Sequence, residues 1–429
     1  MRIKIIGGGL AGCEAAYRLL KAGAAVEMYE MRPVKMTPAH TTSQLAELVC
    51  SNSLKSLDPT SAQGVLKTEM RLLDSLVLKS AETAHVPAGG ALAVDRYAFS
   101  QIIENELNKF ANFKLFRQEI DTIDQYTIIA TGPLTSDALA NRIKQFTDNE
   151  NLNFFDAAAP IVEFSSIDME HAFFGSRYNK GDADYLNCPM TKEEYLLFHN
   201  ALINATCAKL KDFETPNVFE GCMPVEVLAK RGVDTLRFGP MRPVGLYDKS
   251  GNRAYAVAQL RLEDCAGLLY NIVGFQTNLT FKAQRDVFGL IPALKNAIFA
   301  RYGVMHRNSY LNSPRVLTTG FAAKKDTTIF FAGQLTGVEG YMESAASGIL
   351  AAINMLRILK NDSLISPPTT SIIGALSHYI MSENKNFQPM RACFGLLPFL
   401  DNVKKDVRHA EYAKRSEEAM TRFINQYSL

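Results

Sequence analysis

Three glycines near the start of the chain, Gly7, Gly9 and Gly12, are spaced to receive a pyrophosphate. In such a turn the first glycine permits the sharp bend, the second lets the backbone approach the phosphates, and the third lets a helix pack closely on a strand. Gly8, Leu10 and Ala11 complete the turn, and its free N–H groups and helix dipole suit an anion. Glu30, at the end of the next apolar segment, is expected to accept hydrogen bonds from ribose hydroxyls, and Arg32 follows it closely. A second glycine-rich stretch, AGQLTGVEGYMESAASG at 332–348, contains Gly333, Gln334, Gly340, Tyr341 and Ser344. It opens a helix whose N-terminus would stabilise negative charge on a reduced isoalloxazine ring, a need of FAD that NAD does not share. The two elements together predict a bound FAD.

Seven cysteines, Cys13, Cys50, Cys188, Cys207, Cys222, Cys265 and Cys393, are odd in number, widely spread and free of any C-x-x-C pair. The pattern argues against a disulfide framework and against a structural zinc site, so no metal is expected. By default most of these thiols are small buried hydrophobes. The net charge of +2 means that a nucleic-acid partner would have to meet a local basic surface.

Strands and helices must hold these residues in place. Residues 3–6 read as a strand, 10–22 as a helix and 25–29 as a second strand, which makes a βαβ unit. Helical spacing recurs over 64–81 and 96–110, with a turn at 87–90 between them, and 127–130 reads as a buried strand. From 151 to 281 short strands and loops replace this pattern. The first pattern then returns, with a strand at 328–331, a helix over 343–359 and a charged C-terminal helix over 404–422. The fold expected is α/β: a Rossmann-like FAD-binding domain of glutathione-reductase type, discontinuous over 1–150 and 282–429, with a mixed α+β domain inserted at 151–281. No uninterrupted apolar run is long enough for a bilayer span, and the first strand leaves no room for a secretory leader, so a cytoplasmic protein with no membrane partner is expected.

Longer strings carry a resemblance. EMRP at 30–33, TPAH at 37–40, AELVCSNSLKS at 46–56, FEGCMPVEVLAKRGVDTLRFGPMRPVGL at 219–246, MHRN at 305–308 and FFAGQLTGVEGYMESAASG at 330–348 together resemble the TrmFO family of folate- and FAD-dependent RNA (uracil-5-)methyltransferases. The match runs over essentially the whole chain. Departures are small, Cys13 in place of serine and Lys55 in place of arginine among them.

The resemblance implies a chemistry in which a thiolate adds to C6 of uracil and so turns C5 into a nucleophile. It implies a pair of cysteines at the matching positions, Cys222 and Cys50; Cys222, among Glu220, Glu226, Lys230 and Arg231, whose cations could lower a thiol pKa, is taken as the nucleophile and Cys50 as the acid or base for the C5 proton, with the exchanged roles left open. It further implies methylenetetrahydrofolate as carbon donor, reduced flavin as carrier and hydride source, and NADPH or NADH as reductant. His306 with Arg307, or the turn carrying Gln276 and Asn278, are candidate walls for the folate.

The implied partner is structured RNA, either tRNA at its T-loop uridine, U54, or a uridine of 23S rRNA. No obligate protein partner is implied. Arg231, Arg237, Arg242 and Arg261, with Lys404, Lys405, Arg408, Lys414 and Arg415, are candidate phosphate contacts, although the C-terminal group reads equally well as a solvated face. A small-molecule flavin oxidoreductase remains an alternative. Relatives that modify wobble uridines with a GTPase partner share the fold but are longer and lack the 219–246 string.

Overall fold

The computed structural model describes residues 2–149, 152–179, 182–208, 223–247, 251–384, 387–401 and 403–429. Strand Arg2–Ile6 buries Ile3, Ile5 and Ile6 and pairs in parallel with Ala25–Glu30 on one side and Thr127–Ile129 on the other. Phe113–Arg117 and Ile329–Phe331 extend the parallel run, and two short antiparallel strands, Ala322–Ala323 and Leu317–Thr318, finish one edge of a seven-stranded sheet. The two strands Thr127–Ile129 and Ile329–Phe331 are buried at every residue, as expected of parallel strands in the middle of a sheet.

Helix Leu10–Lys21 starts at Gly9 and buries Ala15, Ala16, Leu19 and Leu20. Helix Tyr341–Leu359 crosses it. By length and composition this second helix could span a membrane, but residues 342–355 are all buried in the domain core. The helix expected over 64–81 is two helices, Ala62–Leu72 and Leu76–Thr83. Asp74 adopts a left-handed conformation between them, and the Ser75 hydroxyl accepts from the Leu78 amide, so a local cap outcompetes helix continuation. Glu14 from the N-terminal helix accepts from the Leu76 and Val77 amides at 2.9 and 2.8 Å and fixes this new helix start.

The second unit is a six-stranded antiparallel sheet in the order Phe173–Gly175, Tyr185–Met190, Ala256–Leu262, Leu269–Ile272, Ile161–Glu163, Phe299–Arg301. Its core includes Val162, Leu186, Phe198, Leu260, Phe275 and Phe288. The boundary expected at 281 falls short of this core. Helix Phe281–Phe288 buries Val287 and Phe288 in it, and Phe299–Arg301 is a strand of its sheet. The segments leaving and re-entering the first unit, Leu152–Ala157 and Met305–Tyr310, pair with each other antiparallel.

Candidate active site

Four parallel strands deliver their carboxyl ends to one cleft, the usual ligand position in an open α/β sheet. Gly7, Gly9, Leu10 and Ala11 follow the first strand, and Glu30 and Arg32 close the second. Thr131 and Gly132 follow the third, and Gly333, Gln334, Tyr341 and Ser344 the fourth. The cleft encloses about 970 Å³ together with its open mouth, within the range of a cofactor site.

Glycine chemistry matches the sequence reading. Gly7 lies at φ +105°, where a Cβ would sit 2.5 Å from the Ala130 carbonyl oxygen, whereas a Cβ on Gly9 would meet no protein atom within 4 Å. A cleft wall bare of Cβ and open to a ligand's approach is what a pyrophosphate requires, so the residues present fit a dinucleotide. Gly8 and Gly12 stand behind the wall; a Cβ on Gly12 would fall 2.0 Å from the Gly7 oxygen. Cys13, also behind it, is fully buried, and its thiol lies 3.4 Å from the Gly8 oxygen.

Glu30 is already engaged. Its Oε2 accepts from the Gly8 amide at 2.8 Å, and Oε1 accepts from the Arg32 amide and Nε at 3.1 and 2.8 Å. Burial pushes this carboxyl up, but the hydrogen bonds and charge of Arg32 hold it below the usual carboxylate range. Arg32 is 2% exposed and donates from Nη1 to Glu47 at 2.9 Å. Glu47 was not singled out in the sequence. Its signal is a second carboxylate between the TPAH and LVC strings, close enough in sequence to neutralise a buried arginine.

A second pocket of about 1090 Å³ adjoins the first, and Val49, Pro133, Gln334 and Tyr341 line both. Cys50 lies in its wall, half-buried, with its sulfur 3.7 Å from the Ala157 oxygen and its amide donating to Tyr341 Oη at 2.9 Å. Gly340 and Gln276 line the same pocket.

Three arginines from distant segments clamp the loop that carries Cys50. Arg96, paired with Glu263 at 2.7 Å, donates to the Cys50 oxygen at 2.8 Å and to the Leu48 oxygen. Arg301 donates to the Val49 oxygen at 3.0 Å and the Ala39 oxygen at 2.9 Å. Arg261 donates to Ser51 Oγ at 2.7 Å and Asn52 Oδ1 at 3.0 Å. Burial and the neighbouring Arg96 charge pull the Arg301 pKa down. Asn52, fully buried, returns its amide to the Val94 and Leu262 oxygens at 3.0 and 2.9 Å. These bonds explain the polar residues around Cys50 in the 46–56 string, since residues 48–52 are held largely by side chains and the sheet ladder with Ala91–Val94 begins only at Ser53.

The far wall of this pocket contains Lys55, Lys67, Glu343 and Arg391, none of which the sequence reading assigned. Lys67 is 2% exposed and donates to the Ser56 oxygen at 2.9 Å and the Gln63 oxygen at 3.4 Å. Burial pushes its ammonium down to about 8, with Glu343 acting the other way.

Other expected site residues lie elsewhere. Asn278 lines neither pocket; its amide donates to Glu226 at 2.8 Å and its side chain to the Ala208 oxygen at 3.2 Å, so it braces the segment before it. Glu226 is buried under Thr277 and Asn278. His306 and Arg307 pair through their backbone with Asp156 and Phe155 in the connecting sheet, and their side chains lie outside the described residues. Cys222 and Glu220 also lie outside the described residues. Arg261 is buried in the Cys50 clamp and is not a phosphate contact. Arg237 stacks 3.6 Å from the centre of the Tyr255 ring, and Arg408 and Arg415 donate to the Val403 and Pro398 oxygens. These three are occupied by their own neighbourhood.

A family model described as glucose inhibited division protein A matches residues 2–363. The chain is 54% identical over 429 residues to the methylenetetrahydrofolate–tRNA-(uracil-5-)-methyltransferase TrmFO of Halalkalibacterium halodurans, covering 99% of each. It is 53% identical over 429 residues to the enzyme of the same name from Listeria monocytogenes serotype 4b, again covering 99% of each. Among solved structures it is similar to Aquifex aeolicus GidA, with a TM-score of 0.71 at 16% identity, covering 98% of this chain and 73% of that one.

Proposed function

The chain belongs to the GidA family and within it to the TrmFO methyltransferases, and from that premise we propose that it methylates C5 of the T-loop uridine of tRNA. Its fold is the FAD-binding fold of glutathione-reductase type. The observation that carries the reading is the adjacency of the two pockets: Tyr341 lines both, and its hydroxyl accepts from the amide of Cys50. A dinucleotide in the first cleft and a thiol in the second therefore share one wall. The alternatives, a uridine of ribosomal RNA and a small-molecule flavin oxidoreductase, find no support in these relatives.

When bound, FAD supplies a carrier for the one-carbon unit of methylenetetrahydrofolate and the hydride that completes the methyl group, with NADPH or NADH as the source of electrons. Gly7, Gly9, Leu10, Ala11, Glu30, Arg32, Gly333, Gln334 and Ser344 would hold it. The protein's own part is at the uracil. Cys222 adds to C6, which places negative charge on C5 and O4; after C5 has gained its carbon, Cys50 takes the C5 proton and the Cys222 thiolate leaves.

The setting of Cys50 supports its half of this division of labour. Cys50 is held rigidly by Arg96, Arg261 and Arg301, as a proton-transfer group must be. Val225 donates its amide to the Gln276 oxygen at 2.7 Å, and Gln276 lines the Cys50 pocket. Gln276 would then form part of the wall against folate or base.

The test uses tRNA carrying 5-fluorouracil, whose fluorine cannot leave as a proton. A covalent protein–RNA adduct is expected with the FAD-loaded enzyme, lost in Cys222→Ala and kept in Cys50→Ala. The reverse pattern would exchange the two roles, and no adduct with tRNA would sink the assignment. An rRNA fragment in the same assay is expected to give none.

A further inference from the structure

On the second unit Arg177 reaches the backbone of Val244, two residues on from the exposed Arg242, near enough for the Arg242 charge to act on it, and among the described residues no carboxylate pairs with either. Arg177 is half-buried. It donates from Nε and Nη2 to Gln259 Oε1 at 3.1 and 2.8 Å and from Nη1 to the Val244 oxygen at 2.8 Å. Its partners are therefore neutral, and burial together with Arg242 pulls its pKa down. Asp184, which precedes the adjoining strand Tyr185–Met190, is spent on the Gly89 amide at 2.6 Å. Two neighbouring like charges with no carboxylate partner among the described residues suit an anion.

Tyr178 stands beside them. Its backbone is left-handed at φ 60°, a conformation rarely adopted by a bulky residue, and the residue is 58% exposed. Its amide donates to the Gly245 oxygen at 2.7 Å, and the ring passes over Gly245, where a Cβ would come within 3.0 Å of it. The strained turn thus lays an aromatic face on the surface beside the arginine pair.

The position relative to the active site is set by one strand. Gln259, which carries Arg177, and Arg261, which holds Ser51 and Asn52 beside Cys50, are two residues apart on Ala256–Leu262 and point to the same face of the sheet. Gln259 and Arg261 are therefore about 7 Å apart along the strand, which puts the arginine that Gln259 holds on the same face as the clamp on the catalytic loop.

We infer that Arg177, Arg242 and Tyr178 form a subsite for the nucleotide next to the target uridine, with the guanidinium pair on its phosphate and the Tyr178 ring stacked on its base. The inference rests on the RNA-methyltransferase reading above. A flat exposed ring beside two arginines that have no carboxylate partner among the described residues is the recognition chemistry of single-stranded or splayed RNA. The glutamate tail of folate offers carboxylates but no base to stack, and would leave Tyr178 without a role.

The experiment measures tRNA binding by the FAD-loaded full chain across a salt series, alongside the KM for methylenetetrahydrofolate. Tyr178→Ala is expected to weaken tRNA binding on the order of tenfold, and Tyr178→Phe to restore it. Arg242→Ala is expected to lower the slope of log K against log salt by about 0.7 to 0.9. Both variants should keep the wild-type KM for folate and a full complement of FAD. Unchanged tRNA affinity and slope, in variants of an enzyme that does methylate tRNA, would overturn the subsite alone. A raised folate KM with unchanged tRNA binding would also overturn it, and assign the arginines to folate. A wild-type enzyme that forms no 5-methyluridine in tRNA would remove both the subsite and the reading beneath it.

Discussion

Replacing Gly348 by alanine sets two effects of opposite sign against each other. Gly348 lies inside helix Tyr341–Leu359 where this crosses helix Leu10–Lys21, and an added Cβ would sit 2.2 Å from the Ala11 oxygen, 2.9 Å from its carbon and 3.0 Å from its Cα. Ordinary contact begins near ~3.5 Å, so the helices must part by about 1 Å. Backbone meets backbone at this point, and no side chain can swing aside. Overpacking of this kind costs about 1–3 kcal/mol, whereas replacing a mid-helix glycine by alanine gains at most about 1 kcal/mol of propensity. Destabilisation is expected to win.

Ala11 also touches the second glycine turn, its Cβ lying 3.1 Å from where a Gly333 Cβ would be, and it lines the dinucleotide cleft. A shift of about 1 Å there is expected to weaken FAD binding roughly tenfold or more, because a site of this kind tolerates only about 0.5 Å of misplacement. Thermal denaturation of apo and FAD-loaded protein, with the FAD dissociation constant from flavin fluorescence, checks both parts. A variant with a higher Tm than wild type and unchanged FAD affinity would refute the reasoning. Gly9→Ala is the control: Gly9 is at φ −78°, and its Cβ would meet open space, so apo stability should hold while FAD binding fails.

Three further outcomes are expected. Arg261→Ala should lower kcat on the order of 10- to 100-fold by freeing the Cys50 loop, with little change in tRNA affinity, since its guanidinium faces Ser51 and Asn52; a changed salt slope for tRNA binding would instead make it a phosphate contact. Glu69, fully buried, caps helix Ile372–Met381 through the Ile372 and Ile373 amides at 2.7 and 2.8 Å and accepts from Ser416, and burial pushes it up to about 7. The native state therefore binds more protons than the unfolded one between about pH 4.5 and 7, and this stabilising term is lost as pH rises through 7; denaturant titrations of Glu69→Gln should show a pH dependence shallower by at most about one proton. Lys67 has the opposite sign: with its ammonium pushed down to about 8, the unfolded state binds the extra proton between about 8 and 10.5, so stability gains with pH there, and Lys67→Met should abolish that gain.

Local features of the chain were legible without the fold. The turn containing Gly7, Gly9 and Gly12 and the one containing Gly333 and Gly340 follow from steric rules that act within a few residues, and both elements stand where their spacing implied. Their contact through Ala11 was not legible, because it depends on how two helices far apart in sequence cross. Asp74 and Ser75 broke an apparently continuous helix, since periodicity over 64–81 reports which side faces the core and is indifferent to a one-residue change of direction. The boundary at 281 misplaced Phe281–Phe288 and Phe299–Arg301 because an amphipathic helix and a short strand look alike in either unit.

The active site divides along the same line. Sequence by itself determined that the chain holds a dinucleotide turn, a second helix start facing it, and a cysteine in a polar string at 46–56, because each is a matter of residue type at short range. Only tertiary structure decided what holds that cysteine. Arg96, Arg261 and Arg301 converge on residues 48–52 from three separate stretches of chain, and Arg261, which its charge alone offered to RNA, is turned inward. Charge is a property of a residue, but whether it faces a phosphate, a carbonyl or another arginine is set by what the fold brings beside it.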